Sequence, residues 1–158
     1  FFSFFFFFFF FLFLFLFLKF EHWENAGGTS SRAGVGTETI IWTDPQNYVG
    51  PYHYGGQLSF GPDGNIYIGY GDKYDQPLQA QDFARTAGKI FCLQRNGLPC
   101  PNNMGLNHPE MNDAVWAYGI RNAYRMGWDL PTNRLFIAEV GGNDWPVSTE
   151  DLHLVGEN

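Results

Sequence analysis

The sequence predicts an all-β protein, and three observations carry that prediction. After residue 20 the chain is rich in Gly, Asn, Asp, Tyr and Trp and poor in long aliphatic runs, which is typical of short strands joined by many turns. Runs of four to six β-forming residues, the usual strand length, alternate with turn signals. No stretch of 12 residues has a helical period.

The β-forming runs predict eight strands. In chain order they are Glu38–Thr43, Gln57–Phe60, Asn65–Tyr70, Lys89–Gln94, Ala114–Tyr118, Tyr124–Asp129, Arg134–Glu139 and Asp151–Leu154. Two of the connections, Gly61-Pro62-Asp63-Gly64 and Leu130-Pro131-Thr132-Asn133, place Pro early in a turn and residues that tolerate positive φ later. Both connections therefore predict β-hairpins with a slightly wide loop.

A weak internal repeat indicates how the strands are arranged. Phe60 and Trp128, 68 positions apart, each end a strand, and a Pro turn and an apolar–aromatic–Ile strand follow each of them. Repeated units of this kind are typical of β-propeller blades. We therefore expect residues 38–158 to form a partial β-propeller of about two blades, which leaves open strand edges. Four aromatic side chains are expected in the core between blades: Trp116, Tyr118, Trp128 and Phe136.

The first twenty residues differ from the rest, since they hold fourteen of the eighteen Phe. Phe1–Leu18 is apolar except for Ser3, and as a helix it would reach about 27 Å, just short of the hydrocarbon core of a bilayer. No basic segment precedes the run, as a signal peptide requires, and translation of thymine-rich DNA would produce such a run. We expect residues 1–20 to be a gene-model artefact, with an export or anchor segment as the alternative. Residues 21–37 are a predicted loop or linker.

Charge and cysteine content limit the partners and the compartment. The net charge is −7 and the nine basic residues occur singly, so nucleic acid is not an expected partner. A membrane partner is expected only if residues 1–18 are part of the protein. Cys92 and Cys100 flank a predicted turn, and both a disulfide, which would imply an oxidising compartment, and two free thiols remain open. A metal site at these thiols is disfavoured, because C-x-x-C and suitably spaced His are lacking.

Five motifs follow one another along the chain. The longest is HYGGQLSFGPDGNIYIGYGD, from His53 to Asp72, and the others are Ala80-Gln-Asp, Gly88-Lys-Ile, Trp116-Ala-Tyr-Gly-Ile-Arg-Asn122 and Arg134-Leu-Phe-Ile-Ala-Glu-Val-Gly-Gly-Asn143. In this order they resemble the glucose/sorbosone dehydrogenase family, soluble enzymes that use pyrroloquinoline quinone (PQQ). The resemblance implies a six-bladed propeller with PQQ and calcium on its upper face. It further implies oxidation of an aldose to a lactone at the anomeric carbon, and we expect an extracellular or periplasmic protein.

By this resemblance, His53 is the catalytic base and Asp72 is its orienting carboxylate. Neutral imidazole suits removal of a sugar hydroxyl proton near pH 7, and a carboxylate partner fixes its tautomer. The predicted hairpin would bring both residues to its open end, although they are 19 positions apart. On local grounds alone, a surface loop residue is the expected interpretation of His53, and a turn Asp is as compatible with the sequence as an orienting carboxylate at Asp72.

The resemblance also implies that Arg121 contacts the quinone edge and that Asn122 supports it. A guanidinium suits the carboxylates of PQQ and the negative charge that develops on a reduced quinone oxygen. Gly141 and Gly142 would supply backbone carbonyls to calcium, which favours hard oxygen ligands. Glucose-oxidising members have Gly-Pro here, and Gly-Gly keeps both carbonyls. A solvated Arg at a strand end is the alternative for Arg121.

The sequence leaves part of the expected site unassigned. Basic residues should neutralise the PQQ carboxylates, but after Asn122 only Arg125 and Arg134 remain, and neither lies in a motif with that role. We therefore expect the 158-residue chain by itself to be inactive. Two alternatives remain: a non-catalytic extracellular propeller like the hedgehog-interacting proteins, and a gene fragment with no function of its own. The sugar and the electron acceptor are not identified.

Overall fold

Nine antiparallel strands are found in the part of the chain that the structure, a computed structural model, describes. That part comprises residues 19–23, 38–46, 50–74, 78–143 and 149–155. The apolar segment 1–18 and most of the predicted linker lie outside it. The chain divides into two compact units, residues 1–47 and residues 48–158.

The first unit contains a two-stranded antiparallel sheet. Strand β1 (Lys19–Trp23) pairs with β2 (Glu38–Thr43), and Trp23 lies opposite Glu38. Strand β2 has the predicted bounds. Strand β1 lies where the sequence analysis places the end of the apolar segment and the start of the linker, so it was not predicted.

The second unit contains two further sheets. The first has the order β3-β4-β5-β6 and the second the order β7-β8-β9, so each strand pairs with its neighbour in sequence. Their bounds are β3 Leu58–Phe60, β4 Ile66–Tyr70, β5 Lys89–Leu93, β6 Val115–Tyr118, β7 Ala123–Asp129, β8 Arg134–Glu139 and β9 Asp151–Val155. All eight predicted strands are confirmed to within one residue at each end, and so is the all-β fold class.

Helical structure in the described residues is limited to two short 3-10 turns, Gln79–Gln81 and Met104–Asn107. Both occur in the loops that precede and follow β5. No helix in the described ranges is long and apolar enough to cross a membrane.

Both predicted turns close hairpins. In the first, the amide of Gly64 donates to the Gly61 carbonyl at 2.9 Å, and Gly64 has φ +78°. In the second, the amide of Thr132 donates to the Asp129 carbonyl at 3.2 Å, and Asn133 has φ 53°. Gly and Asn therefore occupy the left-handed positions that these turns require.

The hydrophobic core includes side chains from both sheets of the second unit. Its members are Tyr67, Ile90, Cys92, Cys100, Ile120, Ala123, Met126, Leu135 and Ile137. Trp116 and Trp128 pack against this cluster as predicted, with the Tyr67 ring 5.0 Å and 4.8 Å from their ring centroids. The four-stranded sheet and the three-stranded sheet are thus joined by aromatic and aliphatic contacts.

Two of the predicted core aromatics lie elsewhere. Tyr118 ends β6, is 36% exposed and contacts the Phe83 ring edge-on. Phe136 is half-buried, because Leu135 and Ile137 on either side of it point into the core and successive strand residues face opposite ways. Unlike Trp116 and Trp128, Tyr118 and Phe136 are therefore not part of the core that joins the two described sheets.

The two cysteines form a disulfide. Cys92 in β5 and Cys100 after the turn are bridged, with their Cα atoms 5.5 Å apart, and both are buried. An isolated bridge between Leu93 and Pro99 brings the two backbone segments together. Of the two possibilities left open by the sequence, the bridged form is the one found.

Candidate active site

His53 and Asp72 meet at the open end of the β3–β4 hairpin. Nδ1 of His53 lies 2.6 Å from Oδ1 of Asp72, and the two side chains are 11% and 7% exposed. The antiparallel pairing continues beyond the strands to reach them, since Gly56 N donates to Gly69 O at 2.9 Å and Lys73 N to His53 O at 3.4 Å. Backbone pairing therefore brings residues 19 positions apart into contact.

Close approach of the two segments depends on Gly71. A Cβ at this position would collide with the carbonyl oxygen of His53. His53 itself has a left-handed backbone conformation, with φ 58°. Lys73 and Tyr74, which follow Asp72, also have positive φ, at 65° and 62°. Such conformations are costly outside glycine and persist only where surrounding contacts impose them.

The hydrogen bonds of Asp72 determine which nitrogen of His53 carries a proton. A carboxylate only accepts hydrogen bonds, so His53 Nδ1 must donate to it. In the neutral imidazole the remaining nitrogen, Nε2, then holds a lone pair. Asp72 Oδ1 also accepts from the Tyr74 amide at 2.9 Å, and the Tyr74 ring contacts the imidazole edge-on at 4.9 Å. The imidazole is thus held in one tautomer and one orientation.

Arg121 connects this pair to the end of β8. Its carbonyl accepts from the Asp72 amide at 2.8 Å. Its guanidinium donates from Nη1 to Val140 O at 2.8 Å and from Nη2 to Asn143 Oδ1 at 3.1 Å. Asn143 in turn donates to the Tyr74 hydroxyl at 3.1 Å. A closed set of contacts therefore links the imidazole, the guanidinium and the segment after β8.

Asn122 contacts the loop that carries His53. Its Oδ1 accepts from the Gly55 amide at 3.1 Å, and its carbonyl accepts from the Val140 amide at 3.2 Å. The resemblance implied that Asn122 supports Arg121. In the structure its side chain holds the His53 loop and its backbone holds the end of β8.

Gly141 and Gly142 follow β8 after one residue, Val140. Gly141 is buried, donates to Glu150 Oε2 at 3.2 Å and leaves no room for a Cβ beside the Thr149 carbonyl, whereas Gly142 is exposed. In the parts of the chain that the structure describes, no group of three or more His, Cys, Asp or Glu side chains is placed to hold a metal ion. Any calcium ligands that this pair supplied would be its backbone carbonyls, since glycine has no side-chain ligand.

Sequence reasoning missed Glu139. Its side chain is buried, Oε1 accepts from the Arg121 amide, and Oε2 contacts Nε2 of the half-exposed His153. The available signal was its position in β8: Glu139 shares the inward-facing register of Leu135 and Ile137, where a carboxylate requires partners. It fixes the backbone of the residue that carries the guanidinium.

The buried Lys89 supports the loop before β5. Its ammonium donates to three backbone carbonyls, those of Gln79 at 3.2 Å, Ala80 at 3.0 Å and Ala87 at 2.8 Å. Burial lowers the pKa of Lys89 to about 8, although the Asp82 carboxylate opposes this shift. The loop adjoins the site, because Gly88 N donates to Gly71 O at 3.0 Å.

Comparison with known proteins gives consistent results. The chain is 29% identical over 118 residues to aldose sugar dehydrogenase YliI of Escherichia coli (strain K12). The alignment covers 66% of this chain and 32% of that protein. It is 31% identical over 124 residues to the HIPL1 protein of Arabidopsis thaliana, covering 66% of this chain and 17% of that protein. The chain thus spans a third or less of the length of these relatives.

A solved structure shares the fold. The PQQ-bound form of aldose sugar dehydrogenase from Streptomyces coelicolor superposes with a TM-score of 0.62 at 27% identity, covering 89% of this chain and 38% of that one. With the antiparallel sheets described above, this likeness supports a partial β-propeller. The profile of the family described as Glucose / Sorbosone dehydrogenase matches residues 25–148, well over half of the sequence. The chain therefore belongs to the glucose/sorbosone dehydrogenase family.

Proposed function

We propose that this chain forms the base-bearing part of a PQQ- and calcium-dependent dehydrogenase that oxidises an aldose at its anomeric carbon to a lactone. The observation that carries the proposal is the His53–Asp72 pair, at 2.6 Å, linked by the Asp72 amide to the residue that bears the Arg121 guanidinium. Membership of the family and the sugar dehydrogenases among its relatives support the same reaction class.

In this proposal His53 acts as a general base through Nε2. With Nδ1–H donated to Asp72, the Nε2 lone pair takes the proton of the anomeric hydroxyl as the hydride leaves the same carbon. The Asp72 carboxylate then stabilises the imidazolium, and the edge-on Tyr74 ring keeps the imidazole from turning away. The low exposure of both side chains limits competition from water.

The residues present fit part of a PQQ site. Two of the five N–H donors of Arg121 bond to Val140 and Asn143, which leaves donors for a carboxylate or quinone oxygen. When bound, PQQ would accept the hydride and calcium would polarise its quinone oxygen. Arg121 would hold the quinone edge, Asn122 the loop of the base, and Gly141 and Gly142 would offer carbonyl oxygens to the ion.

The test is sugar-dependent dye reduction by the protein expressed from its complete transcript, with PQQ and calcium added together and separately. We expect dye reduction only when both are present. Sequencing the same transcript also decides whether residues 1–20 are encoded in frame. A purified protein that binds PQQ with calcium and reduces no dye with any aldose would favour the non-catalytic propeller, and one that binds neither would favour the functionless fragment.

We further propose that the 158-residue chain by itself does not turn over sugar. Arg125 and Arg134 are exposed and donate locally, to the Tyr124 carbonyl at 3.0 Å and to Thr132 Oγ1 at 3.0 Å. Neither contact belongs to the network around His53, so the described contacts of Arg125 and Arg134 give neither side chain a role in neutralising the carboxylates of PQQ. Dye reduction by the isolated chain with PQQ and calcium would contradict this proposal.

An extracellular or periplasmic location is proposed on the basis of the Cys92–Cys100 bridge, since disulfides persist in oxidising compartments. Fractionation of the source cells followed by thiol labelling tests it. We expect the protein outside the cytoplasm with both thiols blocked to labelling until a reductant is added. Recovery in the cytoplasm with free thiols would contradict it.

A further inference from the structure

Lys73 follows Asp72 directly and is fully buried. Its Nζ lies 3.6 Å from the centroid of the Tyr70 ring and 3.9 Å from that of the Tyr54 ring. An ammonium over the face of an aromatic ring is attracted by the ring quadrupole, and more strongly where water is excluded. The cation therefore lies between two rings that belong to different segments of the chain.

The two segments joined in this way carry the His53–Asp72 pair. Tyr54 is the residue after His53, and Tyr70 and Lys73 flank Gly71 and Asp72. Two hydrogen bonds reinforce the contact: the Lys73 amide donates to His53 O at 3.4 Å, and the Tyr54 hydroxyl donates to Gly50 O. Gly50 itself packs so closely on Lys73 that a Cβ there would collide with the Lys73 carbonyl.

An apolar side chain would fill this space at a lower desolvation cost than an ammonium. A charge at a fully buried position, on a residue held at φ 65°, thus calls for a reason other than packing volume. The attraction of one cation for two rings supplies one, because it fixes the distance between the segment before β3 and the turn after β4.

We propose that Lys73 is a positioning residue whose ammonium, held between the rings of Tyr54 and Tyr70, fixes the approach of His53 Nδ1 to Asp72 Oδ1. Lys73 itself touches neither reacting atom. The inference deepens the proposed function, since the pair it positions is the base proposed there. The effect of Lys73 on the hydrogen bond between His53 Nδ1 and Asp72 Oδ1 can nevertheless be measured without sugar or quinone.

The test is nuclear magnetic resonance of the 158-residue chain labelled with ¹⁵N-histidine. A His53 Nδ1 proton donated to a carboxylate at 2.6 Å should give a downfield resonance that exchanges slowly with water. Asp72→Asn identifies the signal by removing it. The proton of His53 is bonded to Nδ1, whereas His153 faces Glu139 through Nε2, so the ¹⁵N shift of the attached nitrogen distinguishes the two residues.

Lys73→Met keeps the Cβ, the length of the side chain and the backbone cost at this position while removing the charge. We expect it to lose the resonance, or to exchange the proton at least about tenfold faster, in a chain whose indole signals stay dispersed. Lys73→Arg retains a cation for the two rings and should keep the signal. A wild-type resonance with a wild-type exchange rate in Lys73→Met would overturn the proposal.

If Lys73→Met does not fold, a matched pair at the half-buried Tyr54 decides the question. Tyr54→Phe keeps the ring face and should retain the resonance, whereas Tyr54→Leu removes the ring and should lose it. Equal retention in both variants would overturn the proposal. The resonance is measured without sugar or quinone. Failure of this proposal and failure of the proposed function, which dye reduction tests, can therefore be distinguished.

Discussion

At the scale of single residues, the site is defined by backbone conformations that its side chains do not favour. His53, Lys73 and Tyr74 all have positive φ, at a cost on the order of 1–3 kcal/mol each. The contacts around them, namely the imidazole–carboxylate bond, the buried ammonium and the edge-on ring, oppose that cost. The residues with positive φ and the His53–Asp72 hydrogen bond therefore form one local structure, which sets the orientation of the imidazole before any ligand binds.

The first prediction concerns the tautomer of His53. Asp72→Asn replaces an acceptor by an amide that can present its NH₂ to Nδ1, which favours the tautomer with the proton on Nε2 and removes the lone pair needed by the base. We expect kcat of the PQQ-loaded protein from the complete transcript to fall by about 10²- to 10⁴-fold. The Kd for PQQ should stay within about twofold, since Asp72 is not a proposed quinone contact.

Steady-state dye reduction and a quinone titration of Asp72→Asn measure these two quantities. Asp129→Asn is the matched control, because it makes the same substitution in the β7–β8 turn, where the Asp129 carboxylate accepts from the Thr132 hydroxyl. An undiminished kcat in Asp72→Asn would show that the carboxylate does not set the tautomer.

The second prediction concerns the close approach at Gly71. A methyl group there would collide with the His53 carbonyl, so Gly71→Ala must push the two segments apart. We expect a loss of about 2–4 kcal/mol in the free energy of unfolding, measured with urea. Gly127→Ala is the control: it meets no atom within 4 Å and should change stability by less than about 1 kcal/mol. Equal stability of the two variants would contradict the packing described here.

At the scale of elements, eight of the nine described strands could be predicted, because turn residues mark their ends in the sequence. The Pro62–Gly64 turn also fixes the β3–β4 pairing, and from that pairing follows the meeting of His53 and Asp72. Local sequence patterns do not predict contacts between different sheets. The bond from Gly55 to Asn122 spans 67 positions, and nothing near either residue in the sequence indicates the other.

Burial was also hard to predict for charged residues. Lys73 and Lys89 are fully buried, although lysine is among the side chains most often exposed. Contacts of the folded chain accompany this burial, two aromatic rings at Lys73 and three backbone carbonyls at Lys89, and no local sequence pattern indicates either set. Glu139 is the exception, because its register in β8 could have been read from the sequence.

The third prediction is a pH dependence that belongs to the loop held by Lys89. Its folded pKa of about 8 lies below the ordinary value of 10.5, so between these values the unfolded chain binds more protons at Lys89 than the folded chain does. The free energy of unfolding should therefore rise as pH increases from about 8 to 9.5. Above about pH 10 the raised pKa of the Tyr54 phenol acts in the opposite direction, so measurements stop short of it.

Urea unfolding across this pH range, for the wild-type chain and Lys89→Met, measures the effect. Lys89→Met has no titrating group at this position and should lose the rise, although it also lacks the three hydrogen bonds to the loop. A rise of the same size in both proteins would show that another group is responsible.

At the scale of the whole molecule, residues 48–158 provide two adjoining sheets of a partial β-propeller. Its strands β3 and β9 are sheet edges that expose apolar side chains: Leu58, Phe60, Leu152 and Leu154. The chain spans 32% of the Escherichia coli relative and 38% of the solved Streptomyces coelicolor structure. The proposed base, its proposed orienting carboxylate and one guanidinium occur together in this span, which is why the proposed chemistry can be assigned to particular residues.

The measurement that tests the central claim most directly is the reductive half-reaction of the protein from the complete transcript, loaded with PQQ and calcium. The protein is mixed anaerobically with an aldose, and the absorbance of the bound quinone is followed. The rate of quinone reduction is thereby measured without an external electron acceptor. We predict reduction in the wild type, slowed by deuterium at the anomeric carbon, and reduction at least about 100-fold slower in His53→Gln with quinone binding retained. Reduction of the His53→Gln protein at the wild-type rate would contradict the assignment of His53 as the base.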